Sequence, residues 1–133
     1  MPSPYLDRPL PSATPHAMAS ASPSSLSASE LQQWLQAERP LQLVDVREEQ
    51  ELALAQLSHP TLHLPLSRSQ EWLAELPQRL DPGADIVVLC HAGVRSWQFG
   101  CWLMETQGYE RVWNLRGGID AWSVLVDPGV PRY

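Results

Sequence analysis

The run Asp85-Ile-Val-Val-Leu-Cys90 constrains the fold of this chain more than any other stretch. After its first residue it is apolar throughout, without the alternation of a half-solvated strand, and it is too short for a buried helix. Such a run reads as a strand covered on both faces, and that implies parallel neighbours joined by helical crossovers. The flanking sequence supplies the pieces. Ser27 and Glu30 have capping-box spacing ahead of Leu31, Trp34 and Leu35, which share one helical face, and Pro40 limits that helix. Residues 41–46 (LQLVDV) and 61–66 (TLHLPL) read as strands, with a short helix over 48–57 between them. A helix disturbed by Pro77 is expected over 67–80, then a turn at Asp81-Pro-Gly-Ala84. Residues 96–107 read as a helix closed by Gly108, 111–115 as a last strand, and 117–122 as the opening of a final short helix. Strands and helices alternating at this spacing predict an α/β architecture with a parallel sheet and helices on both faces.

The 133 residues suit one domain. Residues 1–26 are rich in Pro, Ser and Ala and are expected to be a flexible tail, with the domain over 27–133; Met18 is a candidate alternative start. A net charge of -6 argues against nucleic acid or an anionic membrane as partner. No apolar run is long enough for a membrane span. The two cysteines, Cys90 and Cys101, make no disulfide framework, and no secretory leader is evident, so a reducing cytoplasm is the expected location. His16, His59, His63 and His91 show no close ligand spacing with the cysteines, so no metal or cofactor is expected.

The chemistry concentrates in Cys90-His-Ala-Gly-Val-Arg-Ser96. In open α/β sheets, sites form beyond the carboxyl ends of strands, and Cys90 stands at such an end. The residues after it lead into a helix N-terminus, whose amides and dipole make an anion-binding nest. Gly93 admits loop conformations closed to other residues. In that positive field the Cys90 thiolate is favoured, which makes it a candidate nucleophile. Arg95 either binds an anionic substrate or braces the loop against a carboxylate. His91 is either a polar group on the substrate side or an exposed loop residue. Cys101 lies beside Phe99, Trp102 and Leu103 and is expected in the core, as are most of the six tryptophans. Trp97, just past the loop, is a candidate for the pocket mouth. His63 is expected to be structural and His59 solvated.

These residues resemble the rhodanese family. Upstream, "LVDVREEQE" resembles the family's strand-plus-acidic motif, carried here by Asp45, Arg47 and Glu51. Downstream, "GYERVWNLRGGIDAW" resembles its closing segment. The resemblance covers about residues 27 to 125. It implies a rhodanese-like fold, a five-stranded mostly parallel sheet flanked by helices, and sulfurtransferase chemistry. Cys90 would take sulfane sulfur from thiosulfate or a similar anionic donor as a persulfide, and a thiol or cyanide acceptor would remove it. His91, Ala92, Gly93, Val94, Arg95 and Ser96 would form the loop that holds the persulfide and the departing anion. Asp45, Arg47 and Glu51 would support that loop, with Arg95 paired to Glu51 or Asp45. One departure stands out: where family members often carry a glycine- and histidine-containing turn, this chain has "QLSHPT".

Three competing readings differ in class. A phosphatase or arsenate reductase of related fold holds its anion in a loop one residue longer than the four that separate Cys90 from Arg95 here. A non-enzymatic interaction module usually lacks the cysteine that this chain keeps. A relay fed by a protein persulfide partner would need no small-molecule donor. Because the loop has little positive charge besides Arg95, weak thiosulfate turnover is expected.

Overall fold

The computed structural model describes residues 21–133. The expected tail over 1–26 lies outside the described residues as far as residue 20. Its last part does not: β1, Ser24–Leu26, is already in the sheet, beside the last strand at Trp113, Asn114 and Leu115. Leu26 is buried. The ordered domain therefore begins before the expected boundary at 27. "SSL" is too short and polar to announce a strand, and its ladder bonds come from residues about 90 positions later.

Helix α1, Ala28–Gln36, carries the expected capping box: the Glu30 amide donates to Ser27 Oγ at 3.1 Å and the Ser27 amide to Glu30 Oε1 at 2.9 Å. It buries Ala28 and Leu31. Next come β2, Leu41–Asp45, the short helix α2, Glu49–Leu54, and β3, Leu62–His63. β3 is far shorter than the expected strand over 61–66. Pro60 and Pro65, which have no N–H for a ladder, bracket it. The single helix expected over 67–80 is instead a broken path. A 3-10 turn at Leu66–Arg68 leads into α3, Ser69–Trp72, and a second at Leu73–Glu75 leads into α4, Leu76–Arg79. Pro77 sits in the first turn of α4, where a missing N–H costs nothing.

β4, Asp85–Leu89, is buried at every position. It is followed by α5, Val94–Thr106, β5, Val112–Leu115, and α6, Gly118–Leu125. The sheet order is β1-β5-β4-β2-β3, and every pairing is parallel. It is thus wholly rather than mostly parallel.

The even burial of β4 has a simple cause. Ile86, Val88 and Cys90 face one core with Val44, Leu64, Trp72, Phe99 and Leu103. Val87 and Leu89 face the other with Leu26, Leu31, Leu115, Ile119 and Trp122. Side chains alternate across a strand, so a strand between two cores must be apolar at every residue. The fold thereby places Cys90 at the end of the second strand in from the β1 edge, beneath α5.

Candidate active site

Cys90 leaves β4 with its backbone carbonyl accepting from the Ile119 amide at 2.9 Å, and the His91 carbonyl accepts from the Asp120 amide at 3.1 Å. Both donors belong to the first turn of α6, so that helix draws the loop's carbonyls toward itself. The approach is close enough to require glycine. A Cβ on Gly118, whose φ is +61°, would lie 2.4 Å from the Cys90 and His91 carbonyl oxygens. Gly93, with φ +105°, forms the N-cap of α5. The expected helix start at Ser96 moves back to Val94, so Val94, Arg95 and Ser96 are the helix's first turn. Their amides have no intrahelical acceptor.

The Cys90 side chain is 1% exposed. Its sulfur accepts the Gly93 N–H at 3.1 Å and lies 3.3 Å from Ser96 Oγ. Ser96 Oγ is also 2.5 Å from Asn114 Oδ1. The Asn114 amide is oriented by its other end, where Nδ2 donates to the Gly93 carbonyl at 3.0 Å. Ser96 has one proton and two possible acceptors. With Cys90 as a thiol, S–H can donate to Ser96 Oγ while Ser96 donates to Asn114. With Cys90 as a thiolate, the Ser96 proton can turn to sulfur. The sulfur therefore has a donor set that serves its anionic form.

Arg95 does not point its charge freely into the loop. Its NH1 and NH2 groups hold Glu51 Oε1 and Oε2 at 2.7 and 2.9 Å. Of the two expected partners for Arg95, the structure selects Glu51. Asp45 instead holds Arg47, through Nε and a 2.8 Å contact at NH2. Arg47 is fully buried, and Ala55 O and Glu51 O accept from its remaining N–H groups. Burial opposes its charge, but the bonds to Asp45 and Tyr133 outweigh that and raise its pKa. The Arg95 bonds hold the Glu51 carboxyl down at about 2 against an ordinary 4.5, and Glu51 in turn raises the pKa of Arg95.

Two residues at this site gave no functional signal in the sequence reading. Asn114 could have been noticed as a polar residue within the apolar strand "RVWNL". Tyr133 could not. Its ring stacks on His91 at 4.1 Å and 14°. Its hydroxyl donates to Glu51 Oε2 at 2.7 Å and accepts from Arg47 NH1 at 3.0 Å. Burial raises its pKa, with a further contribution from Glu51.

The remaining predicted residues fall in several places. Ala92 is exposed, and Val94 and Trp97 stand beside the loop with 65% and 47% of their surface exposed. Cys101 is half-buried rather than in the core, and burial together with Glu105 raises its thiol pKa. His63 Nε2 lies 2.6 Å from the Arg47 carbonyl, a structural contact. His59 is not solvated as expected: it packs edge-on to Trp122, and its Nδ1 is buried without a partner. Among the described residues, no group of three or more His, Cys, Asp or Glu side chains is placed to hold a metal ion, and no helix is long and apolar enough to cross a membrane.

A rhodanese-like domain model matches residues 27–125. The chain belongs to the rhodanese family. It is 41% identical over 92 residues to the rhodanese-like/PpiC domain-containing protein 12, chloroplastic, of Arabidopsis thaliana, which covers 69% of this chain and 30% of that protein. It is 41% identical over 81 residues to a sulfurtransferase of Allochromatium vinosum, covering 61% of this chain and 70% of the relative. The putative sulfurtransferase YtwF of Bacillus subtilis matches at 30% over 103 residues, 77% of this chain and 93% of its own. A rhodanese-like domain protein of Staphylococcus aureus shares the fold with a TM-score of 0.64 at 24% identity, covering 83% of this chain and 98% of that one. Membership in this rhodanese family and the sulfurtransferase relatives support a function of the sulfurtransferase type.

Proposed function

We propose that the protein moves sulfane sulfur through a persulfide on Cys90. The observation that carries this reading is the sulfur's setting. It is a buried nucleophile with an amide at 3.1 Å and a hydroxyl at 3.3 Å, under the first turn of a 13-residue helix. The Cys90 thiolate attacks the outer sulfur of thiosulfate or a similar anionic donor. A new S–S bond forms, the donor's S–S bond breaks, and sulfite leaves with the electron pair. A thiol or cyanide then attacks the outer sulfur of the persulfide and releases Cys90 as thiolate. This is covalent catalysis in two displacements. The free amides of the α5 first turn are suited to stabilise the negative charge that develops on sulfur and on the leaving group. Tying both forks of Arg95 to Glu51 keeps the loop's shape and removes its main full positive charge from the substrate's field.

That neutralisation supports the expectation of weak thiosulfate turnover, because a dianion has only amides and a helix terminus to steer it. The exposed Val94 and Trp97 beside the loop favour a second reading, in which a protein persulfide partner delivers the sulfur and docks over them. Steady-state transfer from thiosulfate to cyanide tests the first reading. Turnover is expected to be slow, lost in Cys90→Ser and kept in Cys101→Ser. Turnover that survives Cys90→Ser would contradict it.

A further inference from the structure

Tyr133 reaches both ends of the Cys90 loop, one directly through His91 and the other through Glu51. At one end its ring lies flat on His91, the residue directly after the nucleophile. At the other its hydroxyl donates to Glu51, which grips Arg95 by both oxygens. The segment that delivers Tyr133 is itself anchored. Ser123 Oγ donates to the Val130 carbonyl, Val130 is buried, and Arg132 holds Asp120 through Nε at 2.8 Å and NH2 at 3.1 Å. The Asp120 amide in turn donates to the His91 carbonyl. His91 is therefore held by its backbone and by its ring, both from residues C-terminal to β5.

We propose that Tyr133 is a positioning residue that sets the Cys90 loop for anionic substrates: its ring seats His91 and its hydroxyl braces the Glu51 carboxylate that Arg95 grips. This rests on the reading of Cys90 as the sulfur-carrying nucleophile. The physical case is one of preorganisation. Amides aimed at developing charge act only if the loop keeps its shape, and small displacements of such groups cost rate steeply. The ring carries the larger part, because the two Arg95–Glu51 bonds are made directly and do not run through the hydroxyl. The hydroxyl's share is smaller and acts through Arg47 and Glu51.

The test uses the full chain carrying Cys101→Ser, with Tyr133, Tyr133→Phe and Tyr133→Ala compared. Two rates are read at Cys90: persulfide formation with subsaturating thiosulfate, and alkylation by anionic iodoacetate against neutral iodoacetamide. Tyr133→Ala is expected to slow persulfide formation about tenfold or more, and to lower the iodoacetate-to-iodoacetamide ratio in parallel. Tyr133→Phe, which keeps the ring, should return both to within about threefold of the parent. A simple loosening of the fold would change both alkylation rates together and leave their ratio unmoved. That result, or, in a parent that takes sulfur from thiosulfate, an unchanged rate of persulfide formation in Tyr133→Ala, overturns the proposal. If the parent takes no sulfur from thiosulfate while the ratio still falls in Tyr133→Ala, the positioning role stands and the thiosulfate reading fails.

Discussion

The two ends of β4 bury polar chemistry in opposite ways. At its start, Asp85 is 4% exposed and saturated by side chains: Arg39 Nε and NH2, Arg111 Nε and NH2, and Trp113 Nε1 all donate to it. Burial alone would raise its pKa, but these donors outweigh that and lower it. At the far end, Cys90 meets a backbone amide and one hydroxyl whose proton is shared with Asn114, beneath a helix turn whose amides have no internal acceptor. A buried group whose partners are all side chains of its own fold is a fastener. A buried nucleophile facing donors with no acceptor of their own has room for a substrate's charge. The same contrast separates Arg47, closed on every side, from Arg95, which is half-exposed and bound through one carboxylate.

Substitutions at the two ends should therefore separate stability from transfer. The largest effect is expected at Gly118→Ala. Its Cβ has no room against the Cys90 and His91 carbonyls, and its φ is in the left-handed region. A loss of about 2–4 kcal/mol by urea unfolding, together with a large fall in transfer rate, should follow. Next, Asp85→Ala should lose about 1–3 kcal/mol, since Trp113 loses its acceptor while the two part-exposed arginines can turn to water. Transfer by the folded Asp85→Ala protein should stay at the parent rate; a matching fall in both would erase the distinction between the ends.

The smallest effect concerns acid. Glu51 has its carboxyl lowered from 4.5 to about 2 in the fold, so it contributes stability that is fully present above pH 4.5 and is lost as pH falls from there toward about 2. Glu51→Gln should flatten that part of an acid-unfolding curve, leaving the share set by other lowered carboxyls, Asp85, Asp120 and Glu30. An unchanged acid limb in Glu51→Gln would mean that Arg95 and Glu51 are not joined in solution.

Much of this was legible in sequence because it is local. The apolar run over 85–90, the Ser27–Glu30 capping box, and the Cys-to-Ser96 spacing all express their structure within about seven consecutive residues. The choice of Glu51 over Asp45 as Arg95's partner was not, because both carboxylates stand at similar sequence distance and only the path of α2 decides between them. β1 was missed because "SSL" has no strand character of its own and is held by β5. Asn114 and Tyr133 were missed because their meaning comes from contacts 18 to 86 residues away. The helix over 67–80 failed for a nearer reason: its apolar spacing was helical, while the chain turns twice through 3-10 geometry on the way to Pro77.

The central claim is that Cys90 carries sulfur. The most direct measurement is the mass of the intact, reduced protein after incubation with thiosulfate, with Cys90→Ser beside it. A gain of one sulfur atom is expected in the parent, removed by cyanide and absent from Cys90→Ser. A parent protein that gains no sulfur from thiosulfate or from a persulfide-donating protein, or a Cys90→Ser protein that gains it, would show that Cys90 is not the sulfur carrier.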